Sequence, residues 1–203
     1  MKNRIVLSLA LGFVGTSLAA ADGPITFEYT AQRDGGFLIP AHQTPDTIGF
    51  TPIPLVLTDP LIVEIKSLEV EITGLTHTSP EDLELYLIDP FGTILELMSD
   101  KGGSGDITGM NLIFNDAGVP LPPDGVALTS GAIYQPEETP GLSGTFSGQA
   151  AGPGSWTLYI IDDSLADSGS LASWTLRGTA VPEPVTLSLL ALGALAFMRR
   201  RRA

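Results

Sequence analysis

Two short runs near the end of the chain alternate between apolar and polar positions, and each carries one of its two tryptophans. Trp156, Leu158 and Ile160 share one face of the first. Ala172, Trp174 and Leu176 share one face of the second, with Ser173, Thr175 and Arg177 opposite. A period of two is the pattern of a half-buried strand. Between the runs, Asp162, Asp163 and Asp167 crowd three carboxylates into one turn. The pattern predicts two tryptophan-anchored strands joined by that turn as a closing hairpin.

The rest of the middle reads the same way. Residues 25–30 alternate and predict an edge strand. Residues 35–60 are rich in proline and glycine, which forbids helix and confines pairing to strand edges. The strongest strand signal follows in 61–75. Val63 and Ile65 share one parity, and Leu68, Val70 and Ile72 share the other. That phase flip predicts a bulge or corner at Lys66–Ser67, with Glu64, Glu69 and Glu71 turned to solvent. Leu83, Leu85 and Leu87 alternate with Glu84 and Tyr86. Pro90 and Gly92 then provide a turn into a returning strand at 94–98. A short apolar run covers 111–114, and 117–149 has little periodicity. Many short strands without an amphipathic helix predict a single all-β sandwich.

Both ends read as addresses. Lys2 and Arg4 precede an apolar run from Ile5 to Val14, then small residues. Ala19 and Ala21 set the preferred signal-peptidase site, with Ser17 and Ala19 as the runner-up. At the other end Pro182, Glu183 and Pro184 precede an apolar run from Val185 to Met198, closed by Arg199, Arg200, Arg201 and Arg202. Fourteen residues fall short of the roughly 20 a helix needs to cross a bilayer comfortably. The arginines place this end in the cytoplasm and the body outside. The expected division is a signal peptide at 1–21, a β-sandwich at 22–180 and a sorting segment at 181–203.

Proline-glutamate-proline, a short hydrophobic helix and a basic cluster in that order resemble the PEP-CTERM sorting signal of Gram-negative bacteria. The resemblance implies processing near the motif by an exosortase-type membrane peptidase, after transient inner-membrane anchoring. It also implies delivery to the envelope, cell surface or exopolysaccharide matrix.

Charge changes the picture of the body. The chain has 10 Lys and Arg against 23 Asp and Glu, a net charge of −13. Six of those ten cations lie in the two terminal segments, so the body is strongly acidic and nucleic acid is an unsuitable partner. Cysteine is absent, which removes disulfides, thiolate metal sites and cysteine nucleophiles.

The ordered motifs of the body also resemble the P domain of proprotein convertases, over about 39–178. The matching residues are His77, Asp82, Leu83, Leu87, Pro90, Gly92, Asp116, Gly154, Trp156, Leu158, Gly169, Leu171 and Trp174. The resemblance implies a jelly-roll sandwich and, because P-like domains often carry it, calcium. In convertases this domain stabilises a neighbouring subtilisin-like domain; 203 residues leave no room for one here.

Catalysis has little to work with. His42 and His77 are the only histidines, His42 sits in the proline-rich loop, and Ser143 lacks the G-x-S-x-G elbow. His77 is expected to hydrogen-bond a turn, and no carboxylate pair stands out as a glycosidase couple. Calcium suits the acidic loops better, since it takes about six to eight oxygens. Asp82 and Asp116 are the leading ligands, followed by Asp162, Asp163 and Asp167. The bland reading is that these aspartates bond turn backbones.

Three roles remain. The first is a non-catalytic module sorted to the envelope or matrix with a structural or adhesive part. The second is a carbohydrate-binding module, with Tyr29, Phe91, Tyr134 and Phe146 as the aromatics. The third is an accessory domain stabilising a separately encoded protease.

Overall fold

The computed structural model describes residues 23–41, 49–58, 64–165 and 167–181. The signal-peptide site at Ala19 and Ala21, His42, Val63 and the sorting residues Pro182 to Arg202 lie outside the described residues.

Among the described residues nine strands and one short α-helix follow in the order β1 (Ile25–Ile39), β2 (Gly49–Leu57), β3 (Glu64–His77), β4 (Leu83–Ile88), β5 (Ile94–Ser99), β6 (Ile107–Val119), β7 (Ile133–Tyr134), α1 (Gly141–Phe146), β8 (Gly154–Asp162) and β9 (Gly169–Val181), with a single 3-10 turn at Pro80–Asp82 between β3 and β4. One sheet has the order β1-β9-β3-β6-β7, the other β2-β8-β4-β5. Without the two-residue β7, the antiparallel partners nest: β1 with β9, β2 with β8, β3 with β6, β4 with β5. A long hairpin wound on itself gives this arrangement, the jelly roll.

That winding corrects the predicted closing hairpin. Strands β8 and β9 lie in different sheets and do not pair with each other; β8 pairs with β2 and β4, and β9 with β1 and β3. The acidic connection crosses from one sheet to the other. The physical reason lies in the tryptophans. In a two-stranded hairpin both indoles would stand on one sheet face, whereas the core needs filling from two facing sheets. Trp156 and Trp174 enter from opposite sides, both with 0% exposure. Each indole N–H finds a carbonyl, Ala151 O at 2.8 Å and Ile53 O at 3.1 Å. Phe146 packs edge-on to Trp156 with ring centroids 5.1 Å apart.

Two sequence expectations meet their structural cause. The β3–β9 register shifts between Ile65 and Ser67, so the phase flip is a bulge that keeps Ile65 and Leu68 both inward. Pro52 and Pro54 lie in β2, an edge strand, where no ladder partner needs their missing N–H. Alternation in β9 also slips: Leu171 is buried and Ala172 exposed, so Ala172 does not share the face of Trp174.

Several elements exceed the sequence reading. Strand β1 continues past Gln32 to Ile39 through a register shift at Gly35–Gly36, and β6 extends well beyond its apolar centre at 111–114. Helix α1 falls in the stretch without periodicity.

Candidate functional site

The end of the sandwich where β3 leaves one sheet and β4 enters the other also receives the β8–β9 crossing. Here His77, the last residue of β3, faces Asp162, the last residue of β8. Both side chains are fully buried, with His77 Nε2 3.3 Å from Asp162 Oδ2. Nδ1 lies 2.7 Å from the Ser79 carbonyl oxygen and 3.2 Å from the Ser79 amide nitrogen, so the Ser79 backbone holds the ring. Burial pushes the Asp162 carboxyl above its ordinary range, against the pull of the Ser164 amide and of His77. The histidine bonds a turn, as its position predicted.

Gly169 makes the close approach possible. A Cβ there would stand 2.2 Å from the Thr76 carbonyl oxygen and 2.5 Å from the His77 ring.

Three more of the predicted aspartates gather at this corner. The Asp163 amide donates to the Asp82 carbonyl at 3.1 Å. Thr78 Oγ1 donates to Asp167 Oδ1 at 2.8 Å. The Asp82 carboxyl is pushed up, first by burial; its bond to Asp167 and the charges of Asp167 and Asp163 add to this, while a bond from Ser79 opposes it.

Asp116 does not join them. Its Oδ1 accepts from Leu142 N and its Oδ2 from Ser143 N, each at 2.7 Å, capping α1 from 25 residues upstream. A leading calcium candidate is thus occupied with a helix start. Among the described residues no three His, Cys, Asp or Glu side chains are arranged to hold one metal ion. As folded, the five aspartates form no single donor set: Asp116 is bonded to the start of α1, and Asp162 faces His77.

Of the four aromatics expected to offer a sugar platform, three are core. Tyr29, Tyr134 and Phe146 are 4%, 5% and 0% exposed, because each points inward from its element, whereas Phe91 at the β4–β5 turn is 71% exposed. Ser143, beside the Asp116 carboxylate, has its amide in the helix cap. Sequence reasoning missed Asp89, which holds the β4–β5 turn by accepting from Phe91 N and Thr93 N at 2.8 and 2.7 Å. The Asp-Pro-Phe-Gly order was the available signal.

Strand β9 is paired as far as Val181, which stands opposite Glu64. Residues 180–202 match the family model of the PEP-CTERM protein-sorting motif. The chain carries a PEP-CTERM sorting motif. The motif marks it for export and sorting to the surface or envelope of a Gram-negative bacterium and for processing by an exosortase-type enzyme. Nothing among the curated proteins matches the chain. Among solved structures it is similar to the serine protease of Aeromonas sobria, at 17% identity and a TM-score of 0.46. The similarity covers 78% of this chain and 27% of that one. The same protease in complex with its chaperone gives 18% identity and the same TM-score and coverage. The chain thus spans little more than a quarter of those proteins.

Proposed function

We propose that the protein is an exported, non-catalytic jelly-roll module, delivered by its PEP-CTERM segment to the envelope or polysaccharide matrix, where it acts as a structural or adhesive component. The observation that carries this reading is the direct join between the sandwich and the motif, which begins within the last residues of β9. Strand β1 starts beside the end of β9, with Ile25 opposite Ala180. Both chain ends therefore leave from one end of the sandwich, and the acidic corner lies at the other. Over the 13 residues of β9 this separation is about 40 Å. Before processing, a tail held in the membrane would keep the sandwich close to it and turn the acidic corner outward.

The absence of catalysis in this reading rests on His77. Its side chain is sealed in the core with Asp162, and no reacting atom of a substrate reaches it there. The test is a chain ending after Val181, expressed in a Gram-negative host that processes PEP-CTERM proteins. The full chain is expected in the envelope and matrix fraction, and the shortened one, equally folded, in the medium. Identical distribution of the two would overturn the reading.

A further inference from the structure

The outer face of the β2-β8-β4-β5 sheet is built differently from a merely solvated one. Leu85, Leu87, Leu158 and Ile160 point inward, so Tyr86 and Tyr159 point out, and they stand directly opposite each other in the β4–β8 ladder. Tyr159 is in turn opposite Pro52, and Tyr86 opposite Glu96. One row across all four strands therefore reads proline, tyrosine, tyrosine, glutamate. Neighbouring strands lie about 4.8 Å apart, close to the length of one hexopyranose unit in an extended chain. Pro54 continues the exposed apolar floor beside Pro52. The two tyrosines are half-buried, so their rings are held by the sheet and lose little freedom when something covers them.

The polar groups around this floor are acceptors. Tyr86 Oη donates to Glu84 Oε2 at 3.0 Å, beside Glu96. Burial and the charges of Glu137, Glu84 and Glu138 push the Glu96 carboxyl up, so carboxylates crowd this edge. Lys101 pairs with Asp124 and Glu137 instead. Among the described residues neither Glu84 nor Glu96 has an ion-pair partner.

We infer that this face binds a glycan with free amino groups, stacking sugar rings on Tyr86 and Tyr159 and setting its ammonium groups against Glu84 and Glu96. Flat rings flanked by a few oriented polar groups suit the apolar face of a pyranose and its hydroxyls. Carboxylates beside the rings favour a polycation and repel uronic-acid polymers, as does the acidic body as a whole. The inference deepens the matrix reading above and rests on it for the source of the polymer.

The test uses the exported protein with a glucosamine hexamer, an N-acetylglucosamine hexamer and a mannuronate hexamer as probes. Binding is read by calorimetry and by the tyrosine ring resonances at about 0.15 M salt, where attraction from distant charges is screened. The glucosamine hexamer is expected to saturate one site and the mannuronate hexamer to leave the rings unmoved. Tyr86→Ala and Tyr159→Ala should each weaken binding about tenfold or more. The exposed-loop variant Asp106→Asn should leave it nearly unchanged. Glu84→Gln with Glu96→Gln should shift preference toward the acetylated hexamer. Thermal melting of each variant separates lost binding from lost folding.

Four results would each overturn the inference: no saturable binding, equal affinity for both amino-sugar hexamers, full affinity in both alanine variants, or self-association of the chain through these tyrosines. Fractionation is read separately. Protein that reaches the matrix without binding the hexamer refutes the ligand alone; protein that binds it yet stays at the inner membrane refutes the sorting.

Discussion

Asp116 shows how one side chain can decide a local structure that its own neighbourhood does not encode. Gly-Leu-Ser-Gly-Thr-Phe has no apolar period and two glycines, so α1 has no intrinsic reason to form. The carboxylate of Asp116 accepts its first N–H groups and supplies the missing cap. Asp116→Ala is expected to cost about 1–2 kcal/mol, read as a lower urea midpoint, and millimolar calcium should not restore it. The buried acids add a pH dependence. Asp82, Glu96 and Asp162 are all raised, each chiefly by burial. The folded state holds their protons where the unfolded chain, at 3.8 for Asp and 4.5 for Glu, has released them. Their stabilising contribution is therefore full below those values and is lost as pH rises through the elevated folded ones. The melting temperature should climb as pH is lowered from 7 toward 4. Asp162→Asn should flatten that climb, and a melting temperature that falls over the range contradicts the assignment.

At the scale of elements, legibility followed locality. The bulge at Lys66–Ser67, the edge placement of Pro52 and Pro54 and the inward leucines of β4 were readable because each is set by its own few residues. The supposed Trp156–Trp174 hairpin was not, since which sheet a strand joins depends on the nesting of all eight long strands. Strand β1 runs through Gly35–Gly36 because β9 pairs on both sides of the interruption. Tyr86 looked like an ordinary outward position until the ladder set it beside Tyr159. Edge protection was equally invisible. The outer side of β5 is covered by Glu137 and Glu138, whose carboxylates accept from Ser99 N at 3.0 Å and Glu96 N at 2.8 Å. The Glu137 amide also donates to Leu97 O at 3.1 Å. Removing both side chains, Glu137→Ala with Glu138→Ala, opens that edge to a second chain. Light scattering should then grow with protein concentration; a variant that stays monomeric would show that the edge needs no cover.

For the whole molecule, the proposed function turns on where the first and last strands end. The first and last strands lie side by side in one sheet, so the segments before Ile25 and after Val181 leave from the same pole. The acidic corner, with His77 and Asp162 sealed inside it, occupies the other pole and owes its burial to the crossing between sheets. The strand ladder reaches Val181 and the sorting motif starts at residue 180, so a peptidase acting near Pro182 works at the foot of a folded sheet. That arrangement leaves the jelly roll whole once the tail is gone. Intact-mass spectrometry of the mature protein from a processing host tests this most directly. A C-terminus between Val181 and Pro184 on a protein that keeps its fold is the predicted result. A mature pool that still ends at Arg202–Ala203 would contradict it.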